Sequence, residues 1–310
     1  MNPYSKPLKS RNMKMEIKKI LVPTDFSDTG LLALEHASFL ARLMKAELIL
    51  LHVLPMSEYH FEIPEQVMRI DNQEEINRIV EHKLAEVAIE TRTKYGILPR
   101  TLSTRGKIAN EVMQIAQDEK VDLIIMGTHG AKGFEELLIG SNAHKVVSLA
   151  PCPVITVQTH ATKIGFTNIV LPIDRSTHSR EKVEVAIKLA SLYNSKIHLL
   201  GLLESSDSAD NVKLQIVLDQ VQSAIEKEGL IFTRHTVKGA HIAAEALKYG
   251  SSVDADLIII MTDHESALTG LFMGPLAKQI VNHSRIPVMS LKPHYGRFTS
   301  LDLSGSYSAF

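Results

Sequence analysis

Apolar residues along this chain come in two alternating spacings. Unbroken runs with little polar interruption predict buried strands, as in KKILVP (18–23), ELILLHVLP (47–55), VDLIIM (121–126) and PCPVITV (151–157). Between them apolar positions recur at helical spacing, in LLALEHASFLARLM (31–44), EEINRIVEHKLAEVAIETRTKYG (74–96), IANEVMQIAQDEK (108–120) and NAHKVVSLA (142–150). Ser27 or Asp28 is placed to cap the first helix, and Gly96 to close the second. PRTLST (99–104) reads as the remaining strand, and Met56 to Asn72 as a loop. The same order then recurs. TNIVLPIDRST (167–177) parallels KKILVPTDFSD (18–28), KIHLLGLLE (196–204) parallels ELILLHVLP, ADLIIIMTD (255–263) parallels VDLIIMGTH, and SRIPVMSL (284–291) parallels PCPVITV. Helices over 179–193, 211–229 and 241–250, with a strand over 231–237, fill the intervals.

Strands alternating with helices, with strands apolar on both faces, predict parallel sheets covered on both sides. A repeat of this length means two homologous domains rather than a solenoid of short units. The fold expected is therefore α/β, with two tandem doubly wound five-stranded parallel-sheet domains. The spans expected are 16–160 and 165–292, with a Ser- and Gly-rich tail over 293–310.

The chemistry concentrates at Gly127-Thr128-His129-Gly130, after the fourth strand, and at Gly140-Ser141, opening the next helix. Glycines at a strand exit allow close backbone approach, and free amides at a helix start attract anions. The layout suits a phosphate-bearing ligand. It is neither a Walker A loop nor the G-x-G-x-x-G dinucleotide fingerprint. In open parallel sheets, ligands bind beyond the carboxyl ends of strands where strand order reverses. Asp25 and Val53 fall at two further strand ends. Asp25 is suited to ribose hydroxyls, or to capping the following helix; Val53 offers backbone groups to a base edge. Lys107 and Lys132 are available to neutralise phosphate.

Composition narrows the function classes. A length of 310 residues supports two domains, and a net charge of −1 argues against a general nucleic-acid binder. No apolar run reaches the roughly 18 residues of a membrane span. The polar, basic N-terminus lacks a secretory core, and the lone Cys152 fits a reducing compartment, so a cytoplasmic location is expected. Cys152 itself reads as a small buried hydrophobe.

With these residues in view, the chain resembles a tandem universal stress protein. That family has a Rossmann-type (HUP-like) α/β fold, and its ATP-binding members carry G-x-x-G, nine residues, then G-[S/T]. Gly127, Gly130, Gly140 and Ser141 match that pattern without a gap. The resemblance implies that Pro23, Thr24 and Asp25 lie near adenosine and that Val53 reads adenine. It implies that Met126, Gly127, Thr128, His129 and Gly130 line ribose and phosphates, and that Ser141 and Asn142 receive phosphates. The ligand implied is ATP or ADP with Mg²⁺, in a stress-response protein. The two domains would pair as a pseudo-dimer through VITV and PVMSL, and two chains would pair again as a homodimer.

The second half departs from this pattern. Met261 stands opposite Gly127, His264 opposite Gly130, Gly274 opposite Gly140 and Pro275 opposite Ser141, while Asp174 still matches Asp25. The second domain therefore reads as a non-binding partner or as a binder of something else. No catalytic constellation is recognisable. His241, His264, His283 and His294 lack metal-ligand spacing and read as surface or packing residues, so no metal site is expected. Two alternatives to regulatory ATP binding stay open: slow ATP turnover at the same site, and a nucleotide-free interaction scaffold.

Overall fold

The structure, a computed structural model, describes residues 17–56, 71–128, 139–204, 207–262 and 273–293. The first half runs β1 (Lys19–Pro23), α1 (Asp28–Met44), β2 (Glu47–Pro55), α2 (Asp71–Tyr95), β3 (Arg100–Gly106), α3 (Ile108–Asp118), β4 (Leu123–Gly127), α4 (Ser141–Leu149) and β5 (Val154–Val157). The second half repeats it with β6 (Asn168–Ile173), α5 (Val183–Tyr193), β7 (Lys196–Leu203), α6 (Ser208–Lys227), β8 (Phe232–Lys238), α7 (Ile242–Ser252), β9 (Leu257–Met261), α8 (Pro275–His283) and β10 (Val288–Leu291).

The strands form one ten-stranded sheet in the order β3-β2-β1-β4-β5-β10-β9-β6-β7-β8. Each half is a parallel, doubly wound five-stranded sheet. The halves join where β5 and β10 pair antiparallel, with Ile155 opposite Met289. Both joining strands are buried along their whole length, and each pairs the backbone edge that the other would otherwise expose. One apolar layer lies under α1, α2, α5 and α6. The other lies under α3, α4, α7 and α8, and each layer runs through both halves. Among the described residues, no helix is long and apolar enough to cross a membrane.

Local chemistry sets the element ends. Ser27 caps α1, its Oγ accepting from the Gly30 amide at 3.2 Å. Lys45 closes that helix in the left-handed region at φ 55°. The fourth strand of each half begins one residue after an aspartate whose carboxylate is used on the neighbouring strand. Asp122 accepts from the Lys18 and Lys19 amides at 2.8 and 3.1 Å. Asp256 does the same for Thr167 and Asn168, both at 2.9 Å. These carboxylates tie the entry of the central strand to its neighbour in each half.

A helix is expected over 179–193, but the structure breaks it. A one-turn 3-10 helix, Thr177–Arg180, precedes α5, which starts only at Val183. The difference from the unbroken α1 lies at Ser179, whose first-half counterpart Gly30 has no side chain to compete for the backbone. Asp174 Oδ1 accepts from the Ser176 amide and hydroxyl at 2.9 and 2.6 Å, and Ser179 Oγ accepts from the Asp174 amide at 3.0 Å.

Candidate functional site

Four segments meet at the carboxyl ends of β1 and β4, where strand order reverses: 24–27 after β1, the end of β2, Gly127-Thr128 after β4, and the first turn of α4. β2 outruns β1. Pro23 at the end of β1 pairs with Leu51, and the Leu51 carbonyl then accepts from the Thr24 amide at 2.8 Å. Two residues further, strand alternation directs the Val53 amide and carbonyl to the edge past β1. Thr24 Oγ1 accepts from the Phe26 amide at 3.0 Å, and His52 Nδ1 lies 2.8 Å from the Thr24 carbonyl. Phe26, at φ 64°, stacks on His52 with centroids 4.7 Å apart. These contacts fix the turn that carries Asp25.

Asp25 is exposed, and its Oδ1 accepts from the Ser27 amide and hydroxyl at 3.1 and 2.5 Å. It therefore supports the residue that caps α1 and does not cap the helix itself. Met126 is buried in the layer beneath.

Gly140 is the N-cap of α4 and has no side-chain capping bond. The first intrahelical bond there runs from the His144 amide to the Gly140 carbonyl at 2.9 Å. The amides of Ser141, Asn142 and Ala143 thus have no acceptor within the helix. Ser141 is exposed and Asn142 half-buried at this end. Thr128 holds the loop's two ends together. Its amide donates to the Val157 carbonyl at 3.0 Å, its carbonyl accepts from Gly140 at 2.8 Å, and its hydroxyl donates to Gln158 at 2.7 Å.

The two glycines in this frame also answer to the chain itself. A Cβ on Gly127 would lie 3.0 Å from Thr29 Cγ2 and 3.1 Å from the Thr29 carbonyl carbon and oxygen. The first turn of α1 therefore rests directly on the end of β4. A Cβ on Gly140 would sit 3.0 Å from the Thr128 carbonyl. His129, Gly130 and Lys132 lie outside the described residues. Lys107 is exposed at the N-cap of α3. Among the described residues, no group of three or more His, Cys, Asp or Glu is gathered to hold a metal ion. His264 and His294 lie outside them.

The second half keeps the same frame but furnishes it differently. The Gly274 amide donates to Thr262, which bonds back to Leu291, as Gly140 and Thr128 do. A cavity of about 270 Å³ opens here, lined by Asp174, Lys182, Leu202, Met261, Leu276 and Ile280 among others. Lys182 is 5% exposed, and in the repeat it falls where the first half has buried Ala33. Burial lowers its pKa to about 8, despite the opposing charge of Asp174. Burial alone would push the Asp174 carboxyl up, but Lys182 and the bonds from Ser176 and Ser179 hold it below the usual range. Sequence reading passed over Lys182. The available signal was a lysine on the apolar stripe of a helix, opposite an alanine in its repeat.

A tandem pair of doubly wound domains, each with strand order reversing beside its first strand, defines the class of protein. The universal stress protein family matches residues 16–158 and, separately, 165–292. Universal stress proteins MJ0531 and MJ0577 of Methanocaldococcus jannaschii are 34% identical over 155 residues and 35% identical over 158. Those alignments cover 48% and 47% of this chain and 86% and 98% of the relatives. A universal stress protein crystal structure from Archaeoglobus fulgidus shares the fold at TM-score 0.72 and 20% identity, over 89% of this chain and 99% of its own. The chain belongs to the universal stress protein family and carries two domains of that family in tandem.

Proposed function

We propose that the chain is a cytoplasmic stress-response protein that binds ATP or ADP in its first domain, residues 16–160, as a regulatory or structural ligand. The observation that carries this reading is the uncapped first turn of α4 at the same strand-order reversal past which β2 outruns β1. Free amides suit phosphate. The Val53 backbone edge suits an adenine edge, and the exposed Asp25 carboxylate suits ribose hydroxyls. The residues assigned are Pro23, Thr24, Asp25, Val53, Met126, Gly127, Thr128, His129, Gly130, Gly140, Ser141 and Asn142.

The donor set fits a nucleotide better than a bare anion. A helix N-terminus contributes about 0.3–1 kcal/mol when exposed and up to about 2 when partly buried. Micromolar affinity requires about 8 kcal/mol. The base and ribose contacts must therefore supply most of the binding. Mg²⁺ on the phosphates would supply charge neutralisation, held chiefly by the nucleotide's own oxygens. The nucleotide would brace the first turn of α4 and bias the conformation of this face toward a partner. Binding without dedicated catalysis is the reading favoured here, with residues 165–292 as the partner domain.

Mass spectrometry of the supernatant of denatured protein tests this directly; ATP or ADP at near-stoichiometric amount is expected. Stripped protein should gain about 2.7 kcal/mol of stability at 100 times the dissociation constant. No co-purified nucleotide and no stabilisation by ATP would refute the reading and favour the nucleotide-free scaffold.

A further inference from the structure

The repeat that lost the glycine pattern holds, among the described residues, a cavity lined by a buried lysine. We propose that the second-domain cavity binds a small monocarboxylate with an apolar body, its head held by the Lys182 ammonium and the first-turn amides of α8.

The position is that of a ligand crevice: the carboxyl ends of β6 and β9, where the strand order of the second half reverses. Lys182 is buried, lines this cavity, and donates to Ser179 Oγ at 3.3 Å. An ammonium has three donors. Among the described residues, no other hydrogen-bond acceptor reaches it, and Asp174 acts on it only at longer range. Two donors of a desolvated cation in the cavity wall are thus left for a ligand. An apolar residue at the Ala33 position shows that the fold itself does not require the charge.

The opposite wall supplies the remaining donors. Gly274 caps α8 without a side-chain bond, Pro275 occupies the first turn, and the first intrahelical bond runs from the Lys278 amide to Gly274 at 2.8 Å. The Leu276 and Ala277 amides therefore lack acceptors within the helix, and both residues line the cavity. The rest of the lining is mainly apolar, including Leu202, Ile260, Met261 and Ile280. Ligand sites of this kind hold an apolar body and fix it with a few polar groups.

Charge selects the head. Asp174 lines the same cavity and stays ionised at neutral pH, held low by Lys182 and Ser176. A polyphosphate would bring several negative charges against that carboxylate, with one ammonium to balance them. A single negative charge suits a cavity in which one lysine, already facing one carboxylate, is the only lysine or arginine among the described lining residues. Met261, standing where the first half has Gly127, further fills the space a phosphate chain would need.

The test is calorimetric titration of the full chain with butyrate, hexanoate, octanoate and decanoate, in the presence of ATP. At least one member should bind with one molecule per chain. Lys182→Met and Lys182→Gln should each weaken it at least about tenfold, the loss expected for a charge-assisted hydrogen bond. Both variants should stay folded, because the first half places alanine there. Absence of binding by every member, equal binding by either variant, or displacement of the bound carboxylate by ATP would overturn the proposal.

Discussion

Lys182→Met gives the sharpest view of the second-domain cavity, because its effect has a sign that depends on pH. In the folded chain the ammonium has a pKa of about 8, against an ordinary value of 10.5. Below about pH 8 the folded and unfolded chains both carry the proton, and the folded chain bears the full cost of a desolvated cation. Between about 8 and 10.5 the unfolded chain holds more protons, so stability rises with pH. Each pKa unit corresponds to 1.36 kcal/mol, so the rise attributable to this group has a ceiling of about 3 kcal/mol. Methionine has no proton to lose. The variant's stability relative to the native chain should therefore be greatest near pH 7 and shrink by up to that amount toward pH 10.5. Asp174 and His178 face the same cavity from the end of β6 and from the 3-10 turn. Loss of Lys182 removes one of the groups that hold the Asp174 carboxyl low, which displaces the variant's curve by an amount independent of pH while Asp174 stays ionised in both chains. Urea unfolding of the two chains across this range measures the gap. Parallel stability curves, or a gap that widens with pH, would refute a buried, weakly partnered ammonium.

Two further predictions concern the frame. Gly127→Val should destabilise the first domain by about 1–3 kcal/mol even without ligand, because its Cβ would meet the Thr29 backbone at 3.1 Å; equal urea midpoints for both chains would contradict that packing role. Asp122→Ala and Asp256→Ala should each cost about 1–3 kcal/mol, since each leaves two strand-entry amides without their carboxylate acceptor. Melting temperatures within error of the native chain would show that water replaces these bonds at no cost.

The alternation of apolar runs and helical stripes made the two doubly wound sheets legible, because burial on both faces leaves a continuous apolar run. The repeat also exposed the unequal loops, since Met261 and Pro275 are visible against Gly127 and Ser141. Hydrophobic period carries no record of local hydrogen-bond competition. The Ser179 contact at the broken start of α5 was therefore hidden, as was the use of Asp122 and Asp256 to hold strand entries. The same limit applies to Gly127: its contact with Thr29 depends on how α1 lies over β4, which no local pattern reports. Lys182 was hidden for a related reason. On a helix a long cationic side chain usually reaches solvent, whereas this one stands at the position where α1 has buried Ala33.

The central claim, a nucleotide site in the first domain, is tested most directly by titrating ATP into the native chain and into Ser141→Pro. Gly140 before it has a ψ of 150°, close to the 156° of Gly274 before Pro275, so proline fits the backbone there. The substitution removes one amide and one hydroxyl from the α4 terminus and should leave the ligand-free melting temperature unchanged. The account predicts one ATP bound per native chain and affinity at least about tenfold weaker in the variant. No ATP binding by the native chain, or equal affinity in the two, would contradict it.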